Sequence, residues 1–132
     1  MKFKYKKFNA SFLRPVVPIT ISVGEKKVNY EVLIDSGADM CIFDAEIGEL
    51  LGLEIEKGEP HPVSGIVANQ TIFYYIHPVI VKVGHCSRKM FVGFSRNIAR
   101  CGYGIVGQKD FFETFIVKFN LRHQEIELKE FI

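Results

Sequence analysis

Apolar and polar residues alternate with a period of two along much of this chain. Val17, Ile19, Ile21 and Val23 alternate with Pro18, Thr20 and Ser22, which is the pattern of a strand with one buried face. Gly24-Glu25-Lys26 predicts a turn. Val28 to Ile34 then returns as a second strand, continuously apolar at Val32-Leu33-Ile34. Cys41-Ile42-Phe43 resumes extended chain. Asp44 is placed to cap a short helix over Ala45 to Leu51, with Gly52 at its end. Val63 to Val67 and Thr71 to Ile76 predict a hairpin about Ala68-Asn69-Gln70, bracketed by Pro60, Pro62 and Gly65. Val79 to Val83 alternates and stops at Gly84, and Lys89 to Phe94 follows as a further strand. Ser95 to Gly104 is irregular. Ile105-Val106-Gly107 is a second apolar run meeting glycine, followed by a predicted short helix over Lys109 to Phe115. Ile116 to Phe119 and Glu125 to Leu128 form a last hairpin about Leu121 to Gln124. Many short strands divided by turn residues predict an all-β barrel or sandwich.

One tetrapeptide adds chemistry to this pattern. Asp35-Ser36-Gly37-Ala38 follows directly on the apolar run Val32-Leu33-Ile34, so a carboxylate stands at the end of a buried strand. Two such carboxylates brought close together cannot both ionise, and they share one proton. The ionised member can take a proton from water while the protonated member polarises a carbonyl. A pair of this kind titrates as a unit. Ser36 can hydrogen-bond across the base of such a site. Gly37 offers an unobstructed amide beside the carboxylate, and Ala38 leaves room for an extended chain. The triplet occurs once, whereas the chemistry needs two carboxylates, so a homodimer with its site on the two-fold axis is expected. By itself the triplet is also an ordinary turn sequence.

Composition narrows the alternatives. A chain of 132 residues, 48% apolar and 24% charged, is expected to fold as one domain spanning residues 1–132. The net charge of +2 makes no case for nucleic acid as a partner. The lysines of Met1 to Phe8 read as the solvated face of an edge strand. Arg14, Pro15 and Pro18 interrupt the region where a signal peptide would need its apolar core, and no apolar run reaches the length of a membrane span. Cys41, Cys86 and Cys101 are odd in number and lack metal-type spacing, so reduced thiols and a cytoplasmic location are expected. Cys41 falls on a predicted buried strand beside the Asp35 loop; partial exposure there would make it a point of oxidative inhibition. His61, His77, His85 and His123 are scattered, the first two at predicted hairpin ends, and no metal or other cofactor is expected. Asp110 with Phe111-Phe112 reads as helix cap and core. Phe3, Tyr5 and Phe8 are expected in an interface sheet made by the two chain ends, with Glu125 to Ile132 as partner.

With these residues in view, the chain resembles the retroviral-type aspartic proteases, the retropepsins, and among them the small bacterial and archaeal homodimers. Four segments carry the resemblance: Arg14-Pro15 with Val16 to Val23; Val32 to Asp39; Pro62-Val63-Ser64-Gly65-Ile66 with the hairpin after it; and Gly104-Ile105-Val106-Gly107 before Asp110-Phe111-Phe112. It implies a closed acid-protease barrel with one or two short helices, and an aspartic endopeptidase that acts on peptide or protein substrates. Asp35 would be the catalytic carboxylate of each subunit, with Ser36 bracing the two subunits. Gly37 and Asp39 would contact the substrate main chain, and Ala38 would leave it space. Ser64, Gly65, Ile66 and Val67 would belong to a flap over the substrate. Ile105 and Ile66 would line apolar pockets, and the bound peptide would lie extended like an added strand. The viral enzymes commonly place arginine after the glycine equivalent to Gly107; here it is Gln108. The dimer brace must therefore differ, and Arg14 is the candidate at the interface, paired with Asp39 of the other subunit. The competing reading keeps the fold and the groove but not the turnover: a retropepsin-like dimerisation or peptide-binding module.

Overall fold

The computed structural model describes residues 1–63, 72–98 and 102–131. Its strands are β1 (Lys2–Lys4), β2 (Lys6–Lys7), β3 (Leu13–Arg14), β4 (Val16–Val23), β5 (Lys26–Ile34), β6 (Ile42–Asp44), β7 (Glu59–Val63), β8 (Ile72–Val83), β9 (Cys86–Ser95), β10 (Gly104–Val106), β11 (Phe115–Asn120) and β12 (Glu125–Glu130). Strands β4, β5, β10, β6, β9 and β8 pair in that order, and β8 pairs again with β4, which closes a barrel. Strand β7 continues the sheet beyond β8.

Period two fills the barrel. Val17, Ile19 and Ile21 of β4, Val32 and Ile34 of β5, Val79, Val81 and Val83 of β8, and Met90, Val92 and Phe94 of β9 are all buried. Phe43 lies at the centre, edge-on to Tyr30 and Phe94 with ring centroids 5.5 and 6.0 Å away. Such edge-to-face contacts add to the area the rings bury.

The chain ends form a second sheet of order β1-β12-β11, with Phe3 opposite Ile126. Ile126, Leu128 and Phe115 carry its buried face into the same core. The expected union of the two ends is therefore made within one chain. Phe3 and Tyr5 pack against that core, whereas Phe8 is exposed beyond β2.

Helix α1 (Ala45–Leu50) starts where expected, with the Asp44 carboxylate accepting the Glu46 N–H at 3.0 Å. Three expectations are corrected. The two segments Thr71 to Ile76 and Val79 to Val83 are one strand from Ile72 onward, so His77-Pro78 ends nothing. Pro78 is tolerated because β8 pairs with β7 up to Ile76 and with β4 only from Ile80, leaving a gap where no N–H is required. His77 donates from Nε2 to the Ile55 carbonyl at 2.9 Å, and His61 likewise lies within a strand, β7. Third, the segment after Gly107 is no regular helix. Gln108–Phe112 is kinked, with Lys109 extended and Asp110 at φ 68°. The Asp110 carboxylate accepts the Phe91 N–H at 2.8 Å, a bond that a straight helix would not deliver.

No helix among the described residues is long and apolar enough to cross a membrane. Because Phe43 is fully buried between two rings, Phe43→Ala should lower unfolding free energy by about 4 kcal/mol, read as a fall in urea midpoint at unchanged slope.

Candidate active site

The Asp35 loop is held by an inserted strand. Strands β5 and β6 are consecutive in the chain, yet β10 lies between them, parallel to β5 and antiparallel to β6. The residues after β10 therefore run directly against the loop joining β5 to β6. The Asp35 N–H donates to the Val106 carbonyl at 3.0 Å, continuing the ladder one residue past the strand. The Gln108 N–H donates to Ala38 O at 2.8 Å and the Lys109 N–H to Asp39 O at 2.9 Å. The Gln108 side-chain amide donates to the Ser36 carbonyl. Each bond adds modestly, but breaking one beneath a packed loop leaves a polar group unsatisfied.

Gly107 makes this approach possible. A Cβ at that position would lie 2.4 Å from Ala38 O and 2.7 Å from Met40 O. Both are backbone atoms that cannot swing aside. Cys41 adds a link from below: its thiol accepts the Gly107 N–H at 3.4 Å and donates to Lys109 O at 3.6 Å. Burial pushes this thiol up to about 11, in part offset by the Gly107 N–H. Cys41 is fully buried, so the partial exposure that oxidative inhibition would need is not present.

Within the loop, the Gly37 N–H donates to Asp35 Oδ1 at 2.9 Å, as the free amide beside the carboxylate allows. The Ala38 N–H donates to Asp35 O at 3.2 Å, closing a tight turn. Asp35 is half-buried; Ser36, Gly37 and Asp39 are exposed. The alternation that buries Val32 and Ile34 puts Leu33 on the opposite face, and two residues on it puts Asp35 there too. Ile105 pairs with Leu33 on one side and Ile42 on the other, all three half-buried. They form an apolar surface leading to the carboxylate.

The fold thus brings together Asp35, Ser36, Gly37, Ala38, Asp39 and Ile105. Arg14 stands on β3, its guanidinium carbon 3.6 Å over the Phe8 ring, a cation–π contact. Ser64, Gly65, Ile66 and Val67 lie outside the described residues. No group of three or more His, Cys, Asp or Glu among the described residues is placed to hold a metal.

Sequence reasoning missed several neighbours. Leu33 and Ile42 were legible in the strand period as the outward partners of buried residues. Tyr74 and Gly93 gave no signal, because nothing in their surroundings marks them. Burial and then the Asp39 carboxylate raise the Tyr74 phenol.

Two outcomes follow from the loop brace. Gly107→Ala should destabilise by at least about 2 kcal/mol through backbone overlap, measured by chemical denaturation. The Cys41 thiol titrates at 9.0 when unperturbed and about 11 in the fold, so above pH 9 the unfolded chain holds fewer protons than the native one. Its contribution is complete below pH 9 and should fall by about 2 kcal/mol by pH 11. The stability difference between wild type and Cys41→Ala, followed from pH 8 to 11, reads this loss.

No family model matches the chain, and no curated protein matches it in sequence. Solved structures do. A retropepsin-like aspartic protease from Rickettsia conorii is similar with a TM-score of 0.62 and 16% identity, covering 97% of this chain and 89% of its own. The EIAV protease complexed with an inhibitor is similar with a TM-score of 0.51 and 19% identity, covering 77% of this chain and 88% of its own. At such identities the likeness speaks for the fold. The closed barrel, the inserted β10 and the loop it braces accordingly give this chain the fold of the retropepsin-like aspartic proteases.

Proposed function

We propose that the chain is a homodimeric aspartic endopeptidase. The observation that carries this reading is the Asp35 loop. Its carboxylate is fixed by the Gly37 amide, on the outward face of a closed barrel, at the end of an apolar surface made by Leu33, Ile105 and Ile42. The structural likeness to a retropepsin-like protease over 97% of the chain supports the same reading.

One chain offers one such carboxylate, so the second comes from another copy across a two-fold axis. The two Asp35 groups share a proton because two like charges at contact distance cannot both ionise. The ionised member removes a proton from a water held between them. The protonated member donates to the scissile carbonyl oxygen as the water attacks, and neither metal nor covalent intermediate is required. Ser36 of each copy braces the floor. Gly37 and the exposed Asp39 meet the substrate main chain, and Ala38 leaves it space. The substrate lies extended, as an added strand over the groove. Arg14, held flat on Phe8, presents its donors to a carboxylate of the other copy, with Asp39 the intended acceptor. The buried, unpaired thiols of Cys41 and Cys86 fit a protein of the reducing cytoplasm.

Asp35→Asn should abolish peptide cleavage, by at least about 10³-fold, with an unchanged melting temperature. Wild-type specific activity should fall on dilution as the dimer dissociates. Full activity in a species shown to be monomeric by sedimentation would falsify the shared-site mechanism. A folded dimer that binds peptides without cleaving any at pH 3 to 8 would favour the binding-module reading.

A further inference from the structure

The outward face of the barrel carries a transverse row set by register. Val16 pairs with Leu33, Leu33 with Ile105, Ile105 with Ile42, Ile42 with Gly93, and Gly93 with Ile76. Register partners share a face, so this is one continuous line, apolar except at Gly93, where there is no side chain. Asp35 stands two residues past Leu33 on the same face.

The space at Gly93 is filled from elsewhere. A Cβ built there would lie 2.3 Å from Tyr74 Cδ2 and 3.0 Å from Ile42 Cδ1. The Tyr74 ring therefore rests where a side chain of residue 93 would be, next to Ile42. His61, the register partner of Tyr74 on β7, stacks on the same ring with centroids 5.6 Å apart and planes 22° apart. His61 Nε2 lies 3.4 Å from Glu59 Oε1, which ties it in turn to its own strand. The ring is held between a glycine backbone and an imidazole, which leaves it little room to swing.

We infer that Tyr74 determines the side-chain specificity of the groove: its ring closes the Ile42 end of the row, so that the row takes a compact aliphatic side chain of an extended peptide and refuses an aromatic one. This inference rests on the endopeptidase reading. The open part of the row is three aliphatic residues wide, Leu33, Ile105 and Ile42, and Tyr74 ends it. A side chain the size of valine lies along this surface. A phenyl ring would have to displace Tyr74 from both Gly93 and His61. The tyrosine phenol is not needed for this role; its bulk is.

The test uses one peptide sequence with alanine, valine, leucine or phenylalanine at the position that falls in this subsite. The position is found by binding a mixed peptide library to the Asp35→Asn chain. Competitive cleavage by wild type, Tyr74→Ala and Tyr74→Phe is then read by mass spectrometry, and binding of the same peptides to Asp35→Asn with and without each Tyr74 change is read by fluorescence anisotropy. Wild type should prefer valine to phenylalanine. Tyr74→Ala should raise the phenylalanine-to-valine ratio at least about tenfold, the scale on which pocket volume discriminates apolar groups. Tyr74→Phe, which keeps the ring, should leave the ratio within about threefold. An unchanged ratio in folded Tyr74→Ala, or an equal change in Tyr74→Phe, overturns the inference. Peptides that bind but are never cleaved would sink the endopeptidase reading while the anisotropy ranking still decides the role of Tyr74. Failure to bind any peptide overturns both.

Discussion

The structure depends on one backbone-to-backbone contact: Gly107 lying against the carbonyls of Ala38 and Met40. A strand from late in the chain enters between two consecutive strands, and its continuation passes beneath the loop those strands leave open. Only a residue without Cβ allows the approach. The contact also aligns the donors of Gln108 and Lys109 with the carbonyls of Ala38 and Asp39. The loop that carries Asp35 is thus fixed by main-chain hydrogen bonds, which are directional and insensitive to most side-chain changes. A carboxylate that must be placed accurately is better built on such a brace than on a free turn.

Glycine has a second role here, as the place where aromatic rings come to rest. The Tyr30 ring occupies the side-chain space of Gly104, and the Tyr74 ring that of Gly93. Inside the barrel this lets Tyr30 meet Phe43 edge-on, with its hydroxyl oxygen accepting the Asp44 N–H at 3.2 Å. Outside it seats the Tyr74 ring on Gly93 beside Ile42. Paired large and small positions on adjacent strands fill space without voids, which native packing density requires. The same device fills space on both faces of the barrel.

The two faces of β5 separate these duties. Val32 and Ile34 belong to the core, where exchange for polar residues would leave groups unpaired. Leu33 and Asp35 lie half-buried on the opposite face. Period two therefore couples the placement of Asp35 to core packing: a slip of one residue in β5 would bury the carboxylate and expose the core. Gln108, neutral where the viral enzymes commonly carry arginine, bonds to the Ser36 carbonyl of its own loop. The loop is accordingly braced within its own chain, while Arg14 sets its guanidinium over the Phe8 ring.

Much of this was written in the sequence. Alternation placed β4, β5, β9 and the final hairpin to within a few residues, Asp44 marked the start of α1, and the Asp35 triplet after an apolar run marked the loop. These are local signals, carried by side-chain period and turn chemistry. The unbroken β8 was not legible, because Pro78 signals a stop, and only the gap between the pairings with β7 and β4 removes its penalty. The kink at Asp110 was hidden for a similar reason, since its carboxylate finds its partner in the Phe91 N–H, far along the chain. Tyr74 and Gly93 are unremarkable residues until register sets one upon the other. The sequence alone determined most of the strands and set the Asp35 triplet at the end of an apolar one. Which loops touch and which ring fills which glycine were decided by tertiary structure, because they are set by pairings between residues distant in the chain, whose closeness no local pattern encodes.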